Sequence, residues 1–242
     1  RIAYTSYKSD YPRIYELDLA TGRETAIEAG RTGDHITPTY HPNGRELMFS
    51  VVGGGRSGLF TFDVERNCCL AHISGGRWED LSPTYSPDGS QVAFNSNRLG
   101  TTVPQVYVMP AEGGEPNLIT PYVYGQGGYY TSPSWSPTGN RVAFHGRIEQ
   151  RGRHQILVAD VEARGTRIMR LTSEGNNEDA TWAPDGRHIV FAGERSYGYG
   201  LFVVDTVTGR IRTLISGIRP RVPAWSPSLA VGTTETLRGG NY

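Results

Sequence analysis

The chain is predicted to be all-β: a β-propeller of four-stranded antiparallel blades, five by count. Three observations predict it. A phrase of the form "SPTYSPDGSQVAFNS" (82–96) returns as "TPTYHPNGRELMFS" (37–50), "SPSWSPTGNRVAFHG" (132–146), "DATWAPDGRHIVFAG" (179–193) and, cut short, "VPAWSPSLA" (222–230). Its second proline falls at Pro42, Pro87, Pro137, Pro184 and Pro227, at intervals of 45, 50, 47 and 43 residues, the period of a propeller or solenoid. Each unit divides into short strand patterns, and no stretch carries a helical period. The two ends also complement each other. "RIAYTS" (1–6) reads as a second strand with no Pro-Asp-Gly before it, and "VPAWSPSL" (222–229) as a first strand with nothing after it.

The first strand of each unit carries an aromatic among small residues and prolines: Tyr40, Tyr85, Trp135, Trp182, Trp225. A recurrent large ring is what wedge-shaped sheets need to pack face to face, so these are expected as core between blades and not as a ligand cage. Pro-Asp-Gly or a relative follows. Proline presets φ and glycine accepts positive φ, which makes a tight turn. Asn43, Asp88 and Asp185 are read there as turn formers, not as carboxylates for acid–base work. The second strand alternates, as in Val92 and Phe94 against Gln91 and Ala93. A polar loop leads to the third strand ("RIYELD", "LFTFDV", "QVYVMP", "QILVAD", "LFVVDT"), which ends at a turn, Asp-to-Gly in several units. The fourth strand is short: "ETAIE", "PNLIT", "IMRLT", "RTLIS". The expected blades are 1–34 with 221–229, 35–79, 80–130, 131–177 and 178–220. In that scheme the C-terminal strand completes the first blade and closes the ring, hiding the sheet edges. Residues 1–229 form the propeller and residues 230–242, which show no strand pattern, a tail.

Composition excludes several classes. The 24 Lys and Arg balance 24 Asp and Glu, so no net charge steers the chain to nucleic acid or an anionic bilayer. No apolar run is long enough to insert in a membrane. No leader pattern precedes Arg1, and the missing Met marks a processed chain or a fragment. Cys68 and Cys69 are adjacent. Neighbours in a strand point to opposite faces, so two free thiols are expected.

Strand order sends the segments leading into each first strand, together with the loops between second and third strands, to one end of the ring. Loops on a rigid frame are the usual place for recognition. The lead-in segments "GDHI" (33–36), "RWEDL" (77–81), "YGQGGYYT" (124–131), "NNEDA" (176–180) and "RPRV" (219–222) supply ten candidate partner-binding residues: His35, Trp78, Glu79, Asp80, Tyr129, Tyr130, Glu178, Asp179, Arg219 and Arg221. Aromatic side chains there are costly to leave in water and are enriched in interfaces. Trp78→Ala with Asp80→Ala is therefore expected to abolish partner binding while hardly moving the thermal midpoint. Asp80, Glu178 and Asp179 are an oxygen-only set that would suit Ca²⁺ or Mg²⁺ in the central channel, but no calcium-loop spacing supports it, and no metal or cofactor is expected. Catalysis finds no motif. The six histidines are scattered, "GRSGL" (55–59) lacks the second glycine of a nucleophile elbow, and no phosphate-binding fingerprint is present.

The unit [SDT]-P-x-[WY]-S-P-D-G-x-x-[VIL]-A-F, followed by an [IV]-Y-V-x-D strand and an L-T ending, resembles the TolB-type propeller repeat, a relative of the WD repeat without its Trp-Asp ending. "SPTYSPDGSQVAFNSNR" with "QVYVMPAEGGEPNLIT" matches it over most of a blade, and Arg1–Tyr4 and Pro223–Leu229 resemble the strands that open and close propellers of this family. The resemblance implies a non-catalytic periplasmic scaffold of the Tol–Pal envelope system that binds a Pal-like peptidoglycan-associated lipoprotein and supports outer-membrane integrity and division. The family propeller usually has six blades, against five counted here. Its contact with TolA runs through an N-terminal α/β domain not seen in these residues. Two other uses of the repeat compete: the substrate-screening cap of a prolyl-oligopeptidase-type serine peptidase, and a lyase acting on oligogalacturonide. The lyase would need a His-rich metal site, for which only His35 is suitably placed.

Overall fold

The computed structural model describes residues 1–100, 103–121, 128–148, 152–161 and 167–226. The "YGQG" part of the third lead-in segment, residues 227–229 and the expected tail (230–242) lie outside the described residues.

Nineteen strands and no helix occur among the described residues. Blade 1 holds β1 (Ile2–Ser6), β2 (Arg13–Leu17) and β3 (Glu24–Ala26). Blade 2 holds β4 (Asp34–Tyr40), β5 (Glu46–Gly53), β6 (Arg56–Asp63) and β7 (Cys68–Ser74). Blade 3 runs β8 (Asp80–Tyr85), β9 (Gln91–Ser96), β10 (Gln105–Pro110) and β11 (Asn117–Leu118). Blade 4 runs β12 (Tyr129–Trp135), β13 (Arg141–Arg147), β14 (Gln155–Asp160) and β15 (Ile168–Arg170). Blade 5 runs β16 (Asn177–Trp182), β17 (His188–Arg195), β18 (Gly198–Asp205) and β19 (Ile211–Ser216). Every sheet is an antiparallel meander in sequence order.

The turns form where local chemistry demands. At the Pro-Asp-Gly turn of blade 3, Asp88 accepts from Ser86 and Ser90 and Gly89 takes φ 76°. The same turn in blade 5 has Asp185 accepting from the backbone of Arg187 and His188.

Packing alternates between neighbouring sheets, so the second strands are apolar on both faces. In β5, Leu47 and Phe49 meet Ile14, Ile27 and Phe60 in the core between blades 1 and 2, while Met48 joins Tyr85, Phe94 and Met109 between blades 2 and 3. Trp135, Phe144 and Leu157 anchor the core shared with blade 3, and Trp182, Phe191 and Phe202 the core shared by blades 4 and 5. The repeat aromatics Tyr85, Trp135 and Trp182 are buried, as expected of core between blades.

The expected closure, with a C-terminal strand completing the first blade, is not seen among the described residues. Blade 1 has three strands among the described residues, and residues 221–226 form no strand. Trp225 lines one small opening together with Tyr40, Tyr85, Trp135 and Trp182, but it stays 40% exposed and joins no core between blades, which corrects the expectation for the fifth aromatic.

Cys68 and Cys69 correct one expectation: they are joined in a vicinal disulfide. The alternation argument fails there because Cys69 takes φ 67° and the β6–β7 register slips between Thr61 and Asp63, so the pair is not regular strand.

Candidate partner-binding face

Each first strand is broken at one equivalent point. Thr37, Ser82, Ser132 and Asp179 all adopt positive φ (53–56°), three residues before the repeat aromatic, and Val222 does the same (48°) before Trp225. Left-handed backbone in a residue other than glycine costs on the order of 1–3 kcal/mol, so neighbouring groups must hold it. Here they belong largely to the adjoining blade. The amide of Ser82 donates to Thr37 Oγ1 (3.3 Å), that of Thr37 to Thr5 Oγ1 (3.1 Å), that of Asp179 to His145 Nδ1 (3.0 Å) and that of Val222 to Asp179 Oδ2 (3.2 Å). One step along the strand, Trp182 N donates to Ser134 Oγ (3.2 Å). Polar bonds thus tie blade to blade beside the axis, just inside the lead-in face.

This break decides which lead-in residues reach solvent. Strand pairing resumes on the far side with a shift of register in blades 2 to 5. A residue five positions before the aromatic, which simple alternation would put on the opposite face, is therefore buried like the aromatic itself. The four residues at this position are His35 (2% exposed), Asp80 (0%), Tyr130 (2%) and Asn177 (0%).

Three expected rim residues are corrected on this ground, and Asp179 is buried as well (8% exposed), its carboxylate taken up by Arg221. His35 lies tilted against Phe49 (centroids 5.4 Å) with Nε2 3.0 Å from the Arg31 carbonyl oxygen, and burial lowers its pKa. Asp80 accepts from Arg98 Nη2 at both carboxylate oxygens (2.9 and 3.0 Å) and from Ser74 Oγ (2.8 Å). Tyr130 sets its ring edge-on against Phe144 (5.7 Å), and Gly146 leaves the space for it: a Cβ there would overlap the ring.

The other seven fall into two groups. In blade 3, Trp78 is half-buried beneath the Arg98 guanidinium (5.3 Å to the ring centroid), and exposed Glu79 is held by Asn97, whose Oδ1 accepts from the Glu79 amide at 2.8 Å. At the junction of blades 4 and 5 the remaining five lie close together. Glu178 Oε1 is 2.7 Å from His154 Nδ1 and accepts from Asn176 Nδ2 at 2.8 Å. Arg221 Nε donates to Asp179 Oδ2 (2.7 Å), and its Nη2 is 3.6 Å from Glu178. Tyr129 stacks on the His154 ring (5.3 Å), and Arg219 lies over Tyr199 (4.2 Å). Burial by itself would raise the Glu178 carboxyl, but the hydrogen bonds from His154 and Asn176 outweigh it and leave the pKa below the usual value. The bond to Asp179 raises that of Arg221.

Arg98, His145 and His154 were not among the candidates. All three sit at the ends of second strands or starts of third strands, which topology sends to this same face, and that was the available signal. The three carboxylates considered for Ca²⁺ do not share a site, since Asp80 is engaged by Arg98 and Asp179 by Arg221. No group of three or more metal-ligating side chains occurs among the described residues.

His145 gives this cluster a pH dependence. Its Nδ1 accepts from the Asp179 amide, which requires the neutral ring, and burial lowers its pKa to about 4 despite Asp179 and Glu178 nearby, with His154 and Arg221 adding to the lowering. Below about pH 6.5 an unfolded chain binds a proton here that the folded chain refuses, so stability falls as pH drops from about 6.5 to about 4 and this contribution then levels off. Glu178 acts in a lower window, its contribution being lost as pH falls through its lowered pKa. Urea midpoints at pH 7.0 and 4.5 are expected to differ clearly in the wild type and less in His145→Gln, whose amide oxygen still accepts from Asp179. An equal pH slope in the variant would remove His145 as the cause.

The family described as "TolB beta propeller domain" matches residues 1–229. The chain belongs to this family. The Tol-Pal system protein TolB of Francisella tularensis subsp. holarctica (strain OSU18) is 27% identical over 223 residues, covering 90% of this chain and 49% of that protein. The chain thus spans about half the length of the curated relatives it matches. The crystal structure of TolB from Acinetobacter baumannii superposes with a TM-score of 0.76 at 23% identity, over 93% of this chain and 54% of that one. The puromycin-hydrolyzing peptidase of Mycobacterium tuberculosis has a TM-score of 0.65 at 17% identity, over 85% and 33%. At such identities the two structures speak for the propeller fold alone, and the family match is what separates the TolB reading from the peptidase one.

Proposed function

We propose that this propeller is a non-catalytic, periplasmic scaffold of the Tol–Pal envelope system, and that its lead-in face holds a Pal-like peptidoglycan-associated lipoprotein. The single observation that carries the reading is the cross-blade cluster Tyr129–His154–Glu178–Arg221–Asp179. It presents charge and aromatic surface on a frame locked from both sides. Such a preorganised patch loses little side-chain freedom on binding, so more of the contact energy remains as affinity. An interface of about 800 Å² per partner would fit one face of a small propeller. Trp78, Glu79 and Arg219 extend the surface toward solvent, the aromatic and arginine being residue types that dominate binding energy at interfaces.

The test is a pull-down from the source's envelope extract with the chain and with Glu79→Ala/Arg219→Ala, read by mass spectrometry. Both substituted side chains are exposed, so the variant is expected to fold normally. Retention of a peptidoglycan-associated lipoprotein by the wild type, and its loss or at least a tenfold drop in the variant, is the expected result (roughly 1.4 kcal/mol or more of binding energy). Failure of the wild type to retain any such lipoprotein overturns the proposal. Equal retention by both moves the contact off this face.

A further inference from the structure

A second feature of the lead-in face lies away from that cluster, where the cleft between blades 1 and 2 opens. A cavity of about 570 Å³ is lined by Arg31, Arg56, Phe60 and His72 with a floor that includes Gly58 and Gly75. The glycines shape it. A Cβ on Gly58 would stand 2.5 Å from the Ser74 carbonyl oxygen and 3.1 Å from His72 Nε2, and one on Gly75 would meet that same nitrogen at 2.6 Å. The His72 ring is thus seated in a glycine slot and laid against Phe60 (centroids 4.7 Å), over which the Arg31 guanidinium also lies at 4.4 Å.

What sets this hollow apart is its lining, two arginines and a histidine with no acidic side chain among them. Arg45, Arg98, Arg187 and Arg221 each face a carboxylate within 3 Å. Arg31 and Arg56 have no ion pair among the described residues, and no acidic side chain lines the cavity. Glu28 and Asp34 act on buried His35. Two guanidinium groups and an imidazole gathered round one hollow with no acidic lining suit an anion.

We propose that this cavity binds a small oxyanion-bearing ligand of monosaccharide size, a phosphorylated or carboxylated sugar. Guanidinium groups match phosphate and carboxylate oxygens with paired N–H bonds, and the imidazole adds a further polar contact. The volume exceeds that of a bare anion and falls within the roughly 300–1,000 Å³ of ordinary small-molecule sites. The Gly53–Arg56 turn, with Gly54 and Gly55 at positive φ, brings bare backbone to the rim, where a sugar hydroxyl can meet it.

The proposal needs no protein partner, so it stands or falls separately from the lipoprotein reading. The experiment is isothermal titration of the chain with glucose 6-phosphate, glucuronate and inorganic phosphate, each at low and at high salt, repeated on Arg31→Gln/Arg56→Gln. The expected result is saturable binding of at least one sugar acid at millimolar concentration or below, weakened about tenfold or more in the variant and by salt, as for charge-assisted hydrogen bonds at a partly exposed site. Glucose 6-phosphate over glucuronate would select phosphate. Inorganic phosphate binding as tightly as either sugar would overturn the sugar part of the assignment. No saturable heat with any probe, or unchanged affinity in the variant with its fold confirmed by circular dichroism, would overturn the site altogether.

Discussion

Asp80→Ala is expected to lower the thermal midpoint by roughly 10 °C. Asp80 is fully buried and its partner Arg98 is only 14% exposed, so removing the carboxylate strands a guanidinium in a desolvated slot. Breaking a buried pair from one side costs about 3–5 kcal/mol, and a chain of this size loses about 2–4 °C for each kcal/mol. Ser74 Oγ loses its acceptor as well, which adds to the penalty. The double variant Asp80→Ala/Arg98→Ala is expected to recover part of the loss, because no uncompensated charge remains. Scanning calorimetry on the wild type, both single variants and the double variant measures this coupling. A midpoint change of only a degree or two for Asp80→Ala would mean that water reaches the pair. The outcome reverses the sequence-based expectation that Asp80 can be removed at little cost. It also means that lost partner binding in any Asp80 variant would report on folding and not on contact.

Tyr130→Ala is expected to cost about 3–5 kcal/mol, while Tyr129→Ala costs less than about 1 kcal/mol. The two tyrosines are neighbours in β12 but lie in different surroundings. Tyr130 fills the core between blades 3 and 4 against Phe144, Trp135 and Val106, and truncating it leaves a cavity that the rigid sheets cannot close. Tyr129 keeps partial contact with water, stacked on His154 and under Arg147. Denaturant unfolding of both variants with a common m-value separates them. Equal losses would show that the stack on His154 is as deeply set as the core contact.

Much of the fold was legible because it rests on local rules. The proline–glycine turns fall where they were expected, and every anticipated second and third strand is present, since a tight turn and a period-two pattern are written within a few residues. β7 (Cys68–Ser74) was harder to read. Its sequence, "CCLAHIS", alternates poorly, and it carries two register slips that depend on β6.

The candidate face was legible only as a set of segments. Topology puts the lead-in segments at one end of the ring, and that much follows from strand order. Which side chain of each segment faces out does not, because alternation is broken by the positive-φ residue in every first strand, and that residue is held by hydrogen bonds to groups as much as 45 positions away. His35, Asp80 and Tyr130 were misplaced for this one reason, and aligning them with Asn177 at the same distance from the repeat aromatic brings the rule out only after burial is known.

The sequence alone thus determined the repeat, its turns, its strands and its family, all properties carried by residues near one another in the chain. Tertiary structure alone decided the pairing of Asp80 with Arg98, the gathering of His145, His154, Glu178, Asp179 and Arg221, the vicinal disulfide and the unpaired cations of the blade 2 cavity. These depend on how neighbouring sheets are offset about the axis and where the strand backbone breaks, distances that no short stretch of sequence encodes.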